Sequence, residues 1–418
     1  MSSFFNMPFV PKSIDSKAVH GGEARRYASR DGRVEAAPVA GGIAPSIGYV
    51  YADSDHLDRA LGGDPDLYVY GRYGNPTVAA FENAMVELEC HDMPERAGEY
   101  FALATGSGMA AVSLAAAACG VEAGATVAAA QDCYGATYSL VDQLWPRYGV
   151  RGVFVDATDP GAVERTLVEE RPVALIVETI SNPLLKVVDI PRLAALCHAH
   201  DALLLVDNTF ATPVLFRPLA YGADVVIHSA TKYIGGHGDV LGGVVAARSE
   251  MRPAFWEHQK KTGANLGPHE AWLLHRGLKT MPLRVERQCR NARIVADRLG
   301  SHPALAGVRY PGLPDHPQHE LAGRMFGCRG FGAVVGLELK DAGRQDVFRF
   351  LESLQMVQPA TTVGDLYSLV LYPSHASHRA LSPAQRAAVG ISDGLVRLAV
   401  GVEEPQDIVA DICAALEG

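Results

Sequence analysis

The sequence predicts an α/β protein, a mostly parallel sheet with helices on both faces joined to a smaller C-terminal α+β domain. Three observations carry that prediction. Apolar runs of strand length alternate with helical stretches from about residue 100 to 247. Two of those runs stop on an ionisable residue, ALLLVD on Asp207 and DVVIHSATK on Lys232. Around residue 270 the texture changes to a long stretch of helical spacing, and alternating patterns follow it. The expected division is an N-terminal arm over 1–60, a large domain over 61–280 and a small domain over 281–418.

Composition narrows the class. With 418 residues, 48% hydrophobic and 20% charged, the chain has ample material for a packed core. A formal charge of −10 argues against nucleic acid or an anionic membrane as partner. No apolar run reaches the roughly 18 residues that a bilayer span needs. The start, MSSFFNMPFVPKS, lacks the basic, apolar and small-residue succession of a secretory signal, so a cytoplasmic location is expected. Seven cysteines, at 90, 119, 133, 197, 289, 328 and 413, show no metal-ligand spacing and read as reduced thiols in packed positions. His316 and His319 lie in a Pro-rich loop with no cysteine near, and no metal is expected.

Residues 1–60 are rich in Gly, Ala and Pro and suit an arm laid across another surface, in an oligomer that of a partner subunit. LYVYGRYGNPT (67–77) then places Tyr70 and Arg72 before a Gly-Asn-Pro turn and a helix. FALATGSGMAAVSLAAAAC (101–119) reads as strand, Gly-rich turn and helix; Gly106 and Gly108 let a phosphate approach the helix start. QDCYGATYSLVDQL (131–144) opens its helix with Tyr134, an aromatic able to stack on a flat cofactor or to pack in a core. GVRGVFVD (149–156) and VALIVETISNP (173–183) add two buried strands.

Asp207 and Lys232 are the centre of the pattern. In an open α/β sheet ligands bind at the carboxyl ends of strands, so both side chains are expected in one pocket. Ser229, Ala230 and Thr231 are small enough to let a planar carbonyl reach the lysine. Pyridoxal phosphate needs a carboxylate at its ring nitrogen, and Asp207 is the candidate. Past residue 270, GAVVGLELK (332–340), DVFRFLESL (346–354) and GLVRLAVG (394–401) give strand, helix and strand. Arg397 interrupts the last of these, and a buried arginine there suits a substrate carboxylate or a structural ion pair.

Other readings of these residues stay open at this point. Gly106-x-Gly108 followed by Asp132 fits a nicotinamide-dependent dehydrogenase, although it leaves Asp207 and Lys232 without a role. Ser229-Ala-Thr-Lys232 with Lys261-Thr-Gly matches the penicillin-recognising motif set, yet the serine follows a strand where that set needs a helix start. A non-catalytic α/β binding protein with an ordinary Asp–Lys pair is the third.

Five motifs in order, Tyr70-x-Arg72-x-x-Asn-Pro-Thr, Ser107-Gly108-Met109, Asp207-Asn-Thr, Ser229-x-Thr-Lys232-Tyr and Gly-Leu-Val-Arg397-Leu, make the chain resemble the Cys/Met-metabolism pyridoxal-phosphate enzymes. That family includes cystathionine γ-lyase, methionine γ-lyase, cystathionine γ-synthase and O-acylhomoserine sulfhydrylase. The resemblance runs from about His20 to the C-terminus. It implies a fold-type I transferase-like architecture and a homotetramer, a dimer of dimers with shared active sites.

By the same resemblance Lys232 is the Schiff-base lysine and Asp207 the partner of the pyridinium nitrogen. Gly108, Met109, Ser229 and Thr231 hold the phosphate, which Tyr70 and Arg72 reach from the neighbouring subunit. Tyr134 stacks on the ring, Asn182 lies near the 3-hydroxyl and Arg397 clamps the substrate carboxylate. Thr362 and Tyr367 are expected at the substrate. The implied reaction is γ-elimination from a γ-substituted L-amino acid, with proton transfers by Lys232 and help to the leaving group from Tyr70 or Tyr134. The alternative is γ-replacement on an O-acylhomoserine. Three departures from the family's frequent residues, Tyr367, Gly235 and Ala136, argue against ordinary methionine and cystathionine as the main substrates, and a bulky Tyr367 suits a small or unusual γ-leaving group.

Overall fold

The computed structural model describes residues 12–22, 39–63, 67–379 and 382–417. The rest of the expected N-terminal arm, 1–11 and 23–38, lies outside the described residues. Seven strands form the larger sheet: β1 (Tyr100–Thr105), β2 (Thr126–Ala130), β3 (Arg151–Val155), β4 (Ala174–Glu178), β5 (Leu203–Asp207), β6 (Val225–His228) and β7 (Gly243–Arg248). Their order is β1-β7-β6-β5-β4-β2-β3. The run from β6 to β3 is parallel, whereas β7 is antiparallel to both its neighbours. The mostly parallel sheet is therefore present with one reversal. Its cause is the connection: 229–242 holds turns and no helix, and a parallel return calls for a crossover element.

Both faces of this sheet are covered, as near-continuous apolar strands require. Along β4, Ala174 and Ile176 enter one core while Leu175 and Val177 enter the other; along β5, Leu205 opposes Leu204 and Val206 in the same way. Period two then directs the last residues. Glu178 follows Ile176 and Asp207 follows Leu205, toward the face covered by helix Gly108–Ala118, whose Ala111, Val112 and Ala115 share that core. Glu178 and Asp207 are also register partners, so two carboxylates end adjacent strands side by side.

The smaller sheet contains β8 (Leu305–Arg309), β9 (Val334–Leu339), β10 (Gln358–Pro359), β11 (Leu369–Leu371) and β12 (Leu395–Ala399), in the order β10-β11-β12-β9-β8. The long helical stretch is broken into Pro268–Leu278 and Met281–Leu299, with Pro282 in the first turn of the second helix, where its missing N–H is harmless. That second helix ties the two sheets together. Met281, Val285 and Cys289 pack in the core of the larger sheet, and Ala292, Val295 and Leu299 in the core of the smaller one.

Among the described residues no helix is long and apolar enough to cross a membrane. All seven cysteines are free. Five are buried, and burial pushes the Cys90, Cys119, Cys197 and Cys289 thiols up to about 12; Cys328, contrary to expectation, is exposed.

Candidate active site

A cavity of about 200 Å³ opens beyond the carboxyl ends of β4, β5 and β6. Lys232, Asp207, Gly108, Met109, Ser229, Thr231, Tyr134, Asn182, Arg397 and Thr362 all line it. The sequence places these residues in seven separate segments. The topology brings them together.

Lys232 stands on a tight turn after β6, in which its N–H bonds Ser229 O at 3.1 Å and its carbonyl accepts from Gly236 N at 2.7 Å. The side chain reaches across to the smaller sheet's side, where Nζ donates to Thr362 Oγ1 at 2.9 Å. Burial, and then the charge of Arg397, push the amine below the ordinary lysine range, while Asp365 pulls it back. A lysine held in that way presents a nucleophilic amine nearer to neutrality than a surface lysine does.

Asp207 is fixed by Thr209, whose N–H and Oγ1 donate to Asp207 Oδ1 at 3.0 and 2.5 Å. The Thr209 hydroxyl in turn accepts from Ser229 N at 2.8 Å, which links the strand-end carboxylate to the lysine loop. Burial raises the Asp207 carboxyl despite the Thr209 bonds and the attraction of His228. Glu178 beside it accepts from Tyr134 N at 2.6 Å and Asn182 N at 2.8 Å, and burial followed by the Asp207 charge lifts it well above the usual carboxylate range. Two buried carboxylates whose hydrogen bonds all come from neutral donors favour a cation between or beside them. A protonated pyridine nitrogen meets that demand.

Sequence reasoning missed Glu178 and Thr209. Both had signals: VALIVE stops on a carboxylate just as ALLLVD does, and Asp-x-Thr is the local pattern in which a side-chain oxygen bonds the backbone two residues on.

Helix Gly108–Ala118 starts at the cavity wall. Ser107 caps it by accepting from Ala110 N at 3.1 Å, which leaves the N–H groups of Gly108 and Met109 without a carbonyl inside the helix. A Cβ on Gly108 would lie 2.7 Å from both Cβ and Oγ of Ser229. Only glycine allows this approach, and the result is a cradle of free N–H groups and a serine hydroxyl suited to a phosphate. Thr231 serves differently. Its N–H and hydroxyl both bond Gly242 O, at 3.1 and 3.0 Å, so it braces the loop instead of offering a free donor.

Arg397, 3% exposed, sits mid-strand between Gly336 and Leu371. It donates from Nη1 to Asn182 Oδ1 and from Nη2 to Thr362 O, both at 3.1 Å, while its buried Nε has no partner among the described residues. Burial lowers it to about 10. A guanidinium with neutral acceptors and an idle donor is incomplete without an anion, and a carboxylate in the cavity would complete it.

Three expected site residues are not brought to this cavity. Tyr70, 44% exposed, and Arg72 are both on the surface; Arg72 lines a second cavity of about 440 Å³ with Tyr73, Trp256 and Lys260, and bonds Lys260 O. Tyr367 is 61% exposed and outside the cavity lining, because Ser368 next to it is turned inward onto Glu403. Asp132, the ribose-binding candidate of the dinucleotide reading, is buried and held by Ser181 Oγ at 2.8 Å and by Lys186. Gly235 has its own steric reason: a Cβ there would lie 2.6 Å from Val240 Cγ1.

Comparison with known proteins agrees with this geometry. Residues 15–417 match the family model described as Cys/Met metabolism PLP-dependent enzyme. An O-succinylhomoserine sulfhydrylase of Mycobacterium tuberculosis is 39% identical, covering 88% of this chain and 89% of its own. An L-methionine gamma-lyase of Fusobacterium nucleatum is 40% identical, covering 88% and 91%. The crystal structure of cystathionine gamma synthase from Xanthomonas oryzae pv. oryzae, in complex with aminoacrylate and cysteine, superposes with a TM-score of 0.86 at 33% identity over 98% of both chains. With a lysine, a strand-end carboxylate and a glycine-led helix start around one cavity, and a family match over nearly the whole length, the chain belongs to the Cys/Met-metabolism enzymes that depend on pyridoxal phosphate.

Proposed function

We propose that this enzyme removes the γ-substituent from an L-amino acid, releasing a 2-oxo acid and ammonia or an unsaturated amino acid. The observation that carries this reading is the meeting of Lys232, Asp207 and Arg397 in one cavity. Bound there, pyridoxal phosphate supplies an electron sink conjugated with the substrate's amine.

The chain's own residues do the rest. Lys232 Nζ would hold the cofactor and, once freed, would take the proton from Cα, hand it on, and only then, as a neutral amine again, take one from Cβ. Asp207 would keep a proton on the ring nitrogen. Gly108, Met109 and Ser229 would hold the phosphate, with Thr231 bracing their loop, and Tyr134 would stack on the ring. Asn182, whose amide oxygen is bonded to Arg397, has its amide nitrogen to offer to the 3-hydroxyl. Arg397 holds the substrate carboxylate, and Thr362 aims Lys232. The leaving group takes a proton from Tyr134 or from Tyr70 of a neighbouring copy.

The assembly belongs to the same proposal. Val39, Ile47, Val50, Leu61 and Tyr70 expose apolar surface in one stretch of chain, and Arg72 lines a cavity that Lys232 does not line. A homotetramer in which Tyr70 and Arg72 complete the neighbour's phosphate site accounts for both. We place the enzyme in the cytoplasm, where free thiols persist.

A second reading, γ-replacement on an O-acylhomoserine, is favoured by the relative named O-succinylhomoserine sulfhydrylase. Product analysis separates the two. Cofactor-loaded protein is incubated with methionine, cystathionine, O-acylhomoserines and γ-halogenated analogues, with and without a thiol. A 2-oxo acid and ammonia formed without thiol support elimination. A thioether formed only with thiol makes the enzyme a synthase.

Gly108→Ala tests the phosphate cradle. The added methyl must push the helix start and Ser229 apart, at about 1–3 kcal/mol. Cofactor affinity is expected to fall roughly tenfold or more, read by equilibrium dialysis against pyridoxal phosphate; unchanged affinity would remove Gly108 from the cradle.

A further inference from the structure

One buried ionisable group near Lys232 has no place in the scheme above. Asp365 is 3% exposed, and its Oδ1 has no hydrogen-bond partner among the described residues. It follows Gly364, which lies flat on the lysine turn: a Cβ on Gly364 would be 2.6 Å from Tyr233 N and 3.0 Å from the Lys232 carbonyl carbon, at φ +82. On its other side the carboxyl packs against the Gly-rich loop, with Cγ and Oδ1 both 3.6 Å from where a Cβ on Gly238 would stand. Gln288 Nε2 fixes the segment by donating to Asp365 O at 2.7 Å.

The obvious structural explanation would be an ion pair with Arg284, the nearby buried guanidinium. Arg284 is otherwise engaged. Its Nη1 bonds Tyr233 O at 2.8 Å, its Nη2 bonds Gly277 O at 2.7 Å and Ile234 O at 3.3 Å, and its Nε bonds Thr280 Oγ1 at 3.1 Å. Those bonds commit four of its five N–H groups to backbone carbonyls and a hydroxyl, and none of them goes to Asp365. Gly238 supplies a backbone hydrogen bond to this carboxylate but leaves Oδ1 idle, and the cations whose charge acts on it are Lys232 first and Arg284 second.

We propose that Asp365 is a positioning residue whose charge offsets Arg397 and lets the Lys232 amine retain the proton it removes from substrate. This rests on the reading of Lys232 as the cofactor lysine. To shuttle a proton between carbons, the amine must become an ammonium inside a cavity that already holds the Arg397 guanidinium. Without a compensating anion two buried cations would share that space. The charged and titratable groups around the pair are Arg397, Arg284, Asp239 and Tyr233. Arg397 disfavours the ammonium and Asp365 favours it, while Asp239 repels Asp365. The sign follows: removing the Asp365 charge lowers the proton affinity of Lys232.

The test is Asp365→Asn, which keeps shape and removes charge. Cofactor-free protein is mixed with pyridoxal phosphate, and the rate of covalent attachment is followed against pH by visible absorbance. Only the neutral amine attacks, so the midpoint of the profile reports Lys232. The midpoint is expected to move down by about one pH unit in Asp365→Asn and to return in Asp365→Glu. A midpoint unchanged from wild type, with or without a lower melting temperature, would overturn the proposal and leave Asp365 a packing residue. Should Asp365→Asn not fold, Asp365→Ser is read in the same way with the same criterion. Attachment that survives in Lys232→Ala would instead defeat the underlying assignment of the lysine, an outcome separate from either midpoint.

Discussion

Lys232→Ala is expected to lower turnover by about 10⁴-fold or more, with the fold intact. Among the described residues lining the cavity, Lys232 supplies the sole amine, so the variant loses both the covalent hold on the cofactor and the base that moves the protons. A positioned base alone contributes typically 10²–10⁴ in rate, and the lost attachment adds to that. The fold has little reason to suffer. Burial already opposes the charge on Nζ, and its one direct bond, to Thr362 Oγ1, leaves a hydroxyl that can turn to another acceptor. Kinetics, visible absorbance of the loaded protein and a melting curve check the three parts. Cofactor absorbance that survives borohydride reduction and denaturation in the variant would mean that another group forms the bond.

What the sequence disclosed follows from which contacts are local. Strand ends are local, so ALLLVD and DVVIHSATK announced Asp207 and Lys232 and placed them at one end of a parallel sheet. Gly108 was legible for the same reason, since a glycine between strand and helix has few uses other than close approach. The reversal of β7 was not, because it depends on the absence of a helix in 229–242 rather than on any residue there. Tyr367 misled for a related reason: position in a motif says nothing of which way a loop residue turns, and Ser368 on Glu403 decides that. Asp365 and Glu178 matter through partners more than a hundred residues away or across a strand pair, and these appear only once the chain is folded. The individual motifs therefore indicated the chemistry, while the electrostatic setting of Lys232 needed the structure.

Arg397→Lys is expected to lower kcat/KM by about 10²-fold, chiefly through KM. The substitution keeps a charge in the middle of β12 but not the planar fork. Arg397 spends Nη1 on Asn182 and Nη2 on Thr362 O and keeps Nε free, so one group both anchors the cavity wall and faces the substrate. An ammonium on a shorter reach cannot serve both sides. Hydrogen bonds to a charged group contribute about 1.5–3 kcal/mol each, and the loss of one or two of them gives the expected factor. Arg397→Leu separates binding from tuning. It removes the charge that disfavours the Lys232 ammonium, so the proton affinity of the amine rises and the pH profile of cofactor attachment moves up, opposite to the shift in Asp365→Asn. The same variant should lose its preference for an amino acid over the matching amine that lacks the carboxylate. A retained preference in Arg397→Leu would show that the substrate carboxylate is held elsewhere, and the unsatisfied Nε would then need a different anion.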